Sequence, residues 1–406
     1  MELRFPLILD GATGTQLQKR GYTGGKCAEQ WILENPEVIV RVQREYVEKG
    51  SRVIYTPTFG ANRVKLESHG LLGKVREYNL RLAALSKQAA DGRAWVAGDI
   101  APTGLFLYPL GETSFEELVD IYTEQAAALE EAGVDLFVIE TMMTVAEARA
   151  ALLAVKSVSR KPVFVSFTCD EHGRTLSGTD VTAALVILQG MGADAFGLNC
   201  STGPKEMLVQ LKRLREYATV PLIAKPNAGL PQIVDGETVY DCPPAEFAAL
   251  AGEMAEAGVC IFGGCCGTDG GHIAALAESM KGLKPAAPAP LRPELLPCAT
   301  EERVFLLDAG VDCGEALPCD EALEDRLSDA LEEEDGELVT LFIEKAEELD
   351  NLSDCRCMLT KPLCIRCEDA ELLEQALRIY QGRALYDGRL PEEKLLPLVK
   401  KYGLII

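Results

Sequence analysis

The chain has few histidines, few tryptophans and a shortage of positive charge. Its 406 residues include three His, two Trp and 40 Lys plus Arg against 63 Asp plus Glu, which gives a net charge of −23. A chain this acidic is poorly suited to bind the phosphate backbone of a nucleic acid or an anionic membrane surface. With only three histidines, an all-histidine zinc site is also disfavoured.

The sequence also lacks long hydrophobic runs. No segment approaches the roughly 18 apolar residues of a membrane span, and residues 1–6 lack the basic-then-apolar pattern of a signal peptide. We therefore expect a cytoplasmic protein with no membrane partner. In a reducing cytoplasm the 14 cysteines are predicted to be metal ligands, catalytic groups or core residues instead of disulfides.

Proline and charge divide the chain. Residues 284–299 are rich in Pro and Ala, a composition that favours an extended, semi-rigid linker. This pattern predicts one domain over residues 1–283 and a small acidic α/β domain over residues 300–406; a long surface loop within one domain is the alternative. In the second domain, strands are predicted over 304–308, 363–365 and 383–386, and helices over 338–350 and 370–380.

Eight short apolar runs rich in β-branched residues alternate with helical segments through the first 280 residues. Continuous apolar runs are typical of parallel strands that are covered on both faces. Eight of them, each followed by a helix, predict a (β/α)8 TIM barrel. An open, doubly wound sheet is the alternative, but the Gly-x-Gly-x-x-Gly signature is missing after the first run. The runs span residues 7–9, 53–55, 95–97, 136–139, 163–167, 195–198, 221–224 and 259–262.

Three cysteines follow predicted strands. Cys200 follows the sixth run, and the adjacent Cys265 and Cys266 follow the eighth, between glycines that permit a sharp turn. Barrels of this kind build their sites at the carboxyl ends of the strands, where three thiolates could converge on Zn²⁺ and leave one position open for substrate. From spacing alone, buried core thiols and a strained redox disulfide remain alternatives.

Four sequence strings resemble the homocysteine S-methyltransferase family. The resemblance is closest to the homocysteine-binding module of the cobalamin-dependent methionine synthases, and it covers residues 1 to about 282. It implies a TIM barrel in which Cys200, Cys265 and Cys266 bind Zn²⁺, and an enzyme that methylates the thiol of L-homocysteine to give methionine. The strings are DGATGT at 10–15, GDIAPTG at 98–104, GLNCS at 197–201 and GGCCGT at 263–268.

The amino-acid part of the substrate needs its own anchors. A carboxylate suits an ammonium group, and Glu140 and Asp10 each end an apolar run; Asp10 as a turn or helix-capping residue is the alternative. The backbone N–H groups of the following turn suit the substrate carboxylate. Asn227 resembles a family position that approaches zinc when substrate is absent, or it is a turn residue beside Pro226. The predicted substrate residues are Asp10, Gly11, Ala12, Thr13, Glu140 and Asn227.

The methyl donor is the main open question. The chain contains no Asp-x-His-x-x-Gly string, the cobalamin-ligating motif of the resembling synthases. Residues 362–377 and 396–403 resemble part of their methyltetrahydrofolate-binding barrel, with departures at Arg366-Cys367 and Asp387. The resemblance therefore implies methylcobalamin or a related methyl-corrinoid carried by a separate corrinoid protein. The alternatives are S-methylmethionine or a betaine as donor, another thiol or selenol as acceptor, and a non-catalytic zinc-barrel subunit of a corrinoid methyl-transfer complex.

Four cysteines of the acidic tail invite a second metal hypothesis: Cys355, Cys357, Cys364 and Cys367. Cys364 and Cys367 are predicted to lie on one strand, where an offset of three places their side chains on opposite faces. We therefore favour buried thiols over a metal site in the tail.

Overall fold

The computed structural model describes residues 3–108, 110–234, 237–288, 294–332 and 336–406. Two compact units make up the chain. The first comprises residues 1–176, 194–216 and 220–289, and the second comprises residues 177–193, 217–219 and 290–406. The first unit therefore differs from the predicted domain 1–283, because residues 177–193 group with the second unit.

The first unit contains an eight-stranded parallel sheet in the order β1-β10-β7-β6-β5-β4-β3-β2. The first strand of this sheet, β1, pairs with β10, the last of its strands along the chain. The sheet therefore curls into a barrel, and the doubly wound alternative is wrong. A short antiparallel hairpin, β8–β9, follows β7. The strands are β1 (Leu7–Ile8), β2 (Val53–Tyr55), β3 (Trp95–Ile100), β4 (Leu136–Met142), β5 (Val163–Phe167), β6 (Ala195–Asn199), β7 (Leu222–Lys225), β8 (Gln232–Val234), β9 (Glu237–Val239) and β10 (Val259–Phe262).

Hydrogen bonds near the junction of β1 and β2 nearly close the barrel. The Arg52 N–H donates to the Ile8 carbonyl at 2.7 Å. Beyond the end of β1, the Tyr55 N–H donates to Asp10 Oδ2 at 2.8 Å. These bonds confirm the predicted TIM barrel, and they make the Asp10 side chain part of its closure.

The barrel interior is filled by apolar side chains from the strands. Burial of such side chains is the main favourable contribution to folding, and fully burying one of them stabilises the fold by about 1.5–3 kcal/mol. The continuous apolar runs of the sequence are explained by this burial on both faces of the sheet. One cluster of buried residues comprises Leu7, Leu9, Val53, Tyr55, Ala97, Leu136, Val138, Phe164, Ala195, Ile223, Cys260 and Ile261.

Helices connect the strands. Ser114 caps the helix Phe115–Glu131, because its hydroxyl accepts a hydrogen bond from the Glu117 N–H at 3.1 Å. In the described residues, no helix is long and apolar enough to span a membrane. The helices up to residue 280 are α1 (Gly14–Gln18), α2 (Ala28–Glu34), α3 (Pro36–Lys49), α4 (Arg63–Ser68), α5 (Val75–Ala90), α6 (Phe115–Glu131), α7 (Val145–Val158), α8 (Val181–Gly190), α9 (Pro204–Arg215), α10 (Pro244–Ala249), α11 (Ala251–Glu256) and α12 (Gly270–Ser279).

The second unit contains a four-stranded parallel sheet, β13-β14-β15-β16, and an antiparallel pair, β11–β12. Residues 295–299 form β11, so the end of the predicted linker is a strand. The predicted helix over 338–350 is wrong at its start, because β14 pairs with β15 there. The elements are β11 (Leu295–Ala299), β12 (Val304–Asp308), β13 (Leu317–Pro318), α13 (Leu323–Glu332), β14 (Val339–Phe342), α14 (Glu348–Cys355), a 3₁₀ turn (Arg356–Met358), β15 (Leu363–Arg366), α15 (Ala370–Ile379), β16 (Leu385–Tyr386) and α16 (Glu392–Tyr402).

Helix α8 explains why residues 177–193 belong to the second unit. Its residues 181–188 are all buried, so it needs apolar neighbours around its whole circumference. Within the second unit, the Arg383 guanidinium donates to the Gly403 carbonyl at 2.8 Å. A Cβ atom on Gly190, at the end of α8, would lie 2.9 Å from that guanidinium. The carboxyl-terminal segment thus packs directly on α8.

Candidate metal and substrate site

Cys200 lies in a strained turn just after β6. Its φ is 62° and that of Ser201 is 58°, both in the left-handed region that side-chain-bearing residues rarely adopt. The Cys200 N–H donates to the Lys225 carbonyl at 3.1 Å, which ties the turn to the end of β7. Such backbone costs about 1–3 kcal/mol per residue and clusters at functional sites.

The loop after β10 is tied to the same neighbouring loop. The Cys265 N–H donates to the Pro226 carbonyl at 2.7 Å, and the Cys266 carbonyl accepts from the Ala228 N–H at 2.9 Å. Backbone hydrogen bonds to the segment after β7 therefore fix both cysteines of this loop. The loops that carry the three predicted zinc ligands are held by one common neighbour.

The glycines around Cys265 and Cys266 serve two purposes. Gly267 has a φ of 83°, which requires glycine-like freedom. Gly263 and Gly264 are needed for space: a Cβ on Gly263 would lie 2.9 Å from Leu9 Cβ, and one on Gly264 would lie 2.5 Å from Thr268 Oγ1. Close approach of neighbouring segments explains these two glycines, whereas the turn explains the third.

The three cysteine sulfurs converge. The Sγ atoms of Cys200, Cys265 and Cys266 all lie within 4.8 Å of one another, and the Cys200–Cys266 separation is 3.9 Å. Tetrahedral Zn²⁺ with Zn–S bonds of about 2.3 Å places its sulfur ligands about 3.8 Å apart. The donor set therefore fits Zn²⁺ in number, chemistry and spacing. Among the described residues this is the one group of three or more His, Cys, Asp or Glu that fits a metal ion, so the tail cysteines form no such group.

The pKa values of these thiols are high. Hydrogen bonds among the three thiols act in both directions on the pKa of Cys200, and with burial they raise it to about 11. The pKa of Cys266 is likewise raised to about 11, and a hydrogen bond with Cys200 raises that of Cys265. At neutral pH the metal-free cluster is therefore protonated, and metal binding must release protons.

A buried lysine lies between the two predicted ammonium anchors. Lys225 ends β7 and is 4% exposed. Its Nζ lies 3.1 Å from Asp10 Oδ1 and 3.9 Å from Glu140 Oε2. The same ammonium sits 4.3 Å from the centre of the Tyr55 ring, within range of a cation–π interaction. The sequence analysis did not identify Lys225 as a site residue, and its position at the end of an apolar run was the only signal for it.

The buried charges stabilise one another. Burial raises the pKa of Asp10 and of Glu140, while the charge of Lys225 opposes that rise. Burial lowers the pKa of Lys225, but the two carboxylates outweigh it and raise that pKa above its usual value. Lys225 is therefore an ammonium ion. The sequence analysis did not identify Asp99 as a site residue either. Burial raises the pKa of Asp99 well above its usual range, and the charge of Glu140 adds to the rise.

A cavity of about 470 Å³ joins the cysteines to these charged residues. Its lining combines apolar and aromatic side chains with the three cysteines and with the buried Asp99, Glu140 and Lys225. Asp10 lies behind the lining. The lining residues are Gly11, Ala12, Thr13, Gly14, Leu17, Tyr22, Ala28, Glu29, Ile32, Tyr55, Thr56, Pro57, Phe59, Gly60, Lys65, His69, Asp99, Glu140, Thr141, Cys200, Lys225, Cys265 and Cys266.

Only some of the predicted substrate residues line this cavity. Gly11, Ala12, Thr13 and Glu140 line it, but the Ala12 N–H already donates to Thr268 Oγ1 at 3.0 Å. Asn227 is outside the lining. Its Oδ1 is buried and has no hydrogen-bond partner among the described residues. An unpaired buried amide oxygen next to the cysteine loops is suited to a ligand's cation or to a metal.

Tyr240, just after β9, is a third residue near the site that the sequence analysis did not identify. Its hydroxyl donates to the Cys266 sulfur, and burial raises the pKa of Tyr240, with the charge of Cys266 adding to the effect. The ring lies over Gly267, where an added Cβ would come within 2.4 Å of Tyr240 Cβ. Tyr240 therefore covers the cysteine loop from the side of the hairpin.

Comparisons with known proteins identify the family of the barrel. The family model described as homocysteine S-methyltransferase matches residues 7–280. The chain is 35% identical over 294 residues to a methionine synthase of Mycobacterium leprae and 34% identical over 298 residues to one of Mycobacterium tuberculosis. Each match covers 68% of this chain, but only 24% and 25% of the relatives. The chain thus spans about a quarter of the length of these curated relatives.

Solved structures show the same fold. The oxidised form of the homocysteine methyltransferase MmuM from Escherichia coli is 25% identical with a TM-score of 0.57, and the match covers 67% of this chain and 95% of that one. The metallated form has the same coverage and TM-score at 23% identity, and shows the likeness of fold alone.

Proposed function

Because the chain belongs to the homocysteine S-methyltransferase family, we propose that it transfers a methyl group to the thiol of L-homocysteine and yields methionine. The observation that carries this proposal is the convergence of Cys200, Cys265 and Cys266 at one end of a cavity that also contains a carboxylate. The reaction breaks the bond between methyl and donor, forms a carbon–sulfur bond and releases the thiol proton.

We propose that Cys200, Cys265 and Cys266 hold Zn²⁺. A bound Zn²⁺ favours the deprotonated, nucleophilic form of a thiol that otherwise titrates near pH 8.5. The chain's own part is to hold three sulfurs at the spacing of a tetrahedral site and to fix their loops through hydrogen bonds to the segment after β7. The unpaired Asn227 Oδ1 is suited to the open side of this site.

Other residues that line the cavity orient the amino acid. Glu140 lines the cavity, and its Oε2 has no hydrogen-bond partner among the described residues, so it is the group we assign to the substrate ammonium. The turn Gly11–Thr13 borders the cavity where the substrate carboxylate would lie. Anchoring both ends of a small substrate fixes its sulfur against the incoming methyl group, and such positioning supplies several kcal/mol of the barrier reduction.

For the donor, we propose a methyl-corrinoid carried by a separate protein. A corrin ring with its side chains is far larger than a cavity of about 470 Å³, so it would approach the mouth from outside. Direct displacement needs sulfur and methyl carbon within about 3–3.5 Å, in line with the leaving atom. Phe59, which lines the cavity, is an exposed apolar side chain, as are Phe106 and Leu110 on the loop after β3.

A small cationic donor such as S-methylmethionine is the second candidate. Its support is the lining itself: Tyr22 and Phe59 contribute aromatic rings, and Glu29 contributes a carboxylate. Aromatic faces and carboxylates attract sulfonium and quaternary ammonium groups. This donor would fit inside the cavity.

The test supplies each donor separately to the zinc-loaded chain with L-homocysteine. Methionine formation from methylcobalamin supports the first candidate, and formation from S-methylmethionine or glycine betaine supports the second. We expect Cys265→Ser to lose both equimolar zinc and turnover. Cys242→Ser is the matched control, because Cys242 lies outside the cluster. Stoichiometric zinc without methionine from any donor would favour a non-catalytic subunit.

A further inference from the structure

We propose that Lys225 weakens the pocket's selection for the α-amino group, so that the site accepts ω-mercapto carboxylates with or without that group. This inference rests on the proposed function and deepens it by naming the substrate class. Its basis is the ammonium of Lys225, which the chain already places between Asp10 and Glu140.

Asp10 has no oxygen left for a substrate. Its Oδ2 accepts a hydrogen bond from the Tyr55 N–H at 2.8 Å, and its Oδ1 is paired with Lys225 Nζ at 3.1 Å. The side chain is 1% exposed and does not line the cavity. Asp10 is therefore a positioning residue for Lys225, which departs from its predicted contact with the substrate.

Glu140 is left as the ammonium anchor, with a competitor beside it. Its Oε2 has no hydrogen-bond partner among the described residues, and it lines the cavity. Lys225 Nζ lies 3.9 Å from that oxygen, too far for a hydrogen bond but close enough for strong attraction in a buried site. A substrate ammonium bound to Glu140 would thus lie next to a second, fixed ammonium and be repelled by it.

The consequence concerns which thiols fit. A thiol that carries a carboxylate but no amino group forgoes the contact with Glu140, yet it also avoids repulsion from Lys225. We therefore expect 4-mercaptobutanoate to be methylated within about tenfold of the kcat/KM of L-homocysteine. Replacing Lys225 with the uncharged, similarly long methionine removes the repulsion, and this ratio should shift toward L-homocysteine at least about tenfold, as expected for two like charges in a partly buried site.

Binding of the reaction products separates this inference from the proposed function. L-methionine and 4-(methylthio)butanoate carry no ionisable thiol, so calorimetric titration of the full chain with each compares the amino group alone, without methyl transfer. We expect Lys225→Met to favour L-methionine at least tenfold more than the wild-type chain does, and Lys225→Arg to keep the wild-type ratio. Lys161→Met, which removes a half-buried lysine paired with Glu130, is the control and should leave the ratio unchanged.

Lys225→Met alone leaves Asp10 buried without a counter-charge, and that chain can fail to fold. The double variant Asp10→Asn/Lys225→Met removes both charges, and its shift toward the amino acid should be in the same direction but smaller, because the Asp10 carboxylate attracts the ammonium that Lys225 repels. Equal losses for both ligands in these variants would mean that Lys225 is structural, and would overturn the inference. A shifted binding ratio in a chain that methylates nothing would instead overturn the proposed function and leave the inference standing.

Discussion

Asn199 and Thr141 exchange two hydrogen bonds across the mouth of the barrel. The Thr141 N–H donates to Asn199 Oδ1 at 2.8 Å, and Asn199 Nδ2 donates to Thr141 Oγ1 at 2.7 Å. Thr141 has a φ of 60° and directly follows Glu140, and Asn199 directly precedes Cys200. One side-chain amide thus fixes the residue after Glu140 and the residue before Cys200, next to backbone conformations that need such support.

Replacing Asn199 by alanine should therefore damage stability and zinc binding together. The lost hydrogen bonds leave buried groups without partners, which costs about 1–3 kcal/mol of the free energy of unfolding. Loss of such an outer support should lower zinc affinity about 10–100-fold. Denaturant titration and competition with a chelator measure the two effects. Asn35→Ala removes one amide hydrogen bond, to Trp31; if it lowered zinc affinity equally, the effect would reflect general destabilisation.

The buried Asp99 should lower the free energy of unfolding at neutral pH. Burial raises its pKa in the folded state, so its contribution to stability is present below the unfolded-state pKa and is lost as the pH rises above it. Asp99→Asn should then raise the free energy of unfolding at pH 7, because the neutral amide avoids the cost of burying a carboxylate next to Glu140. The gain should shrink toward pH 4. Exposed Asp120→Asn is the control, and a gain that does not change with pH would contradict the assignment.

Gly197 should tolerate no side chain. A Cβ at this position of β6 would lie 2.0 Å from the Ile223 carbonyl oxygen of β7, so Gly197→Ala must separate the two strands that carry Cys200 and Lys225. We expect loss of zinc and destabilisation of about 3 kcal/mol, the upper end of the usual cost of an overpacked core. Gly252→Ala, where a Cβ meets nothing within 4 Å, should stabilise α11 by about 0.5–1 kcal/mol. Thermal unfolding of both variants measures these effects. A Gly197→Ala chain as stable as the wild type would contradict the close approach of β6 and β7 at this position.

Deleting residues 300–406 should expose α8. Residues 181–188 of the helix are all buried and mostly apolar, and its compact unit includes the carboxyl-terminal segment. We expect the shortened chain to bind an apolar dye and to aggregate during purification. A monodisperse, zinc-binding product with unchanged thermal stability would show that residues 1–283 form a domain as the linker pattern predicts.

The sequence predicted the strands well because burial on both faces leaves a continuous apolar run. The runs at 53–55, 163–167 and 259–262 coincide with β2, β5 and β10. The segment after Leu338 was predicted as helix because a short apolar run does not distinguish the two states. Pairing with β15 decides in favour of strand there.

The site was predictable only in part. Adjacent cysteines between glycines, with a third cysteine at another strand end, are a local signal that the fold brings together. The pairing of Lys225 with Asp10 joins residues more than 200 positions apart, and no spacing in the sequence encodes it. Whether a carboxylate faces the cavity or a neighbouring lysine depends on side-chain placement around the barrel, so Asp10 and Glu140 could not be distinguished beforehand.

X-ray absorption at the zinc edge tests the central claim most directly. The zinc-loaded chain should show three sulfur ligands at about 2.3 Å, from Cys200, Cys265 and Cys266. Addition of L-homocysteine should raise the count to four, because the substrate thiol takes the remaining position. A sulfur count that does not change when L-homocysteine binds would contradict the account.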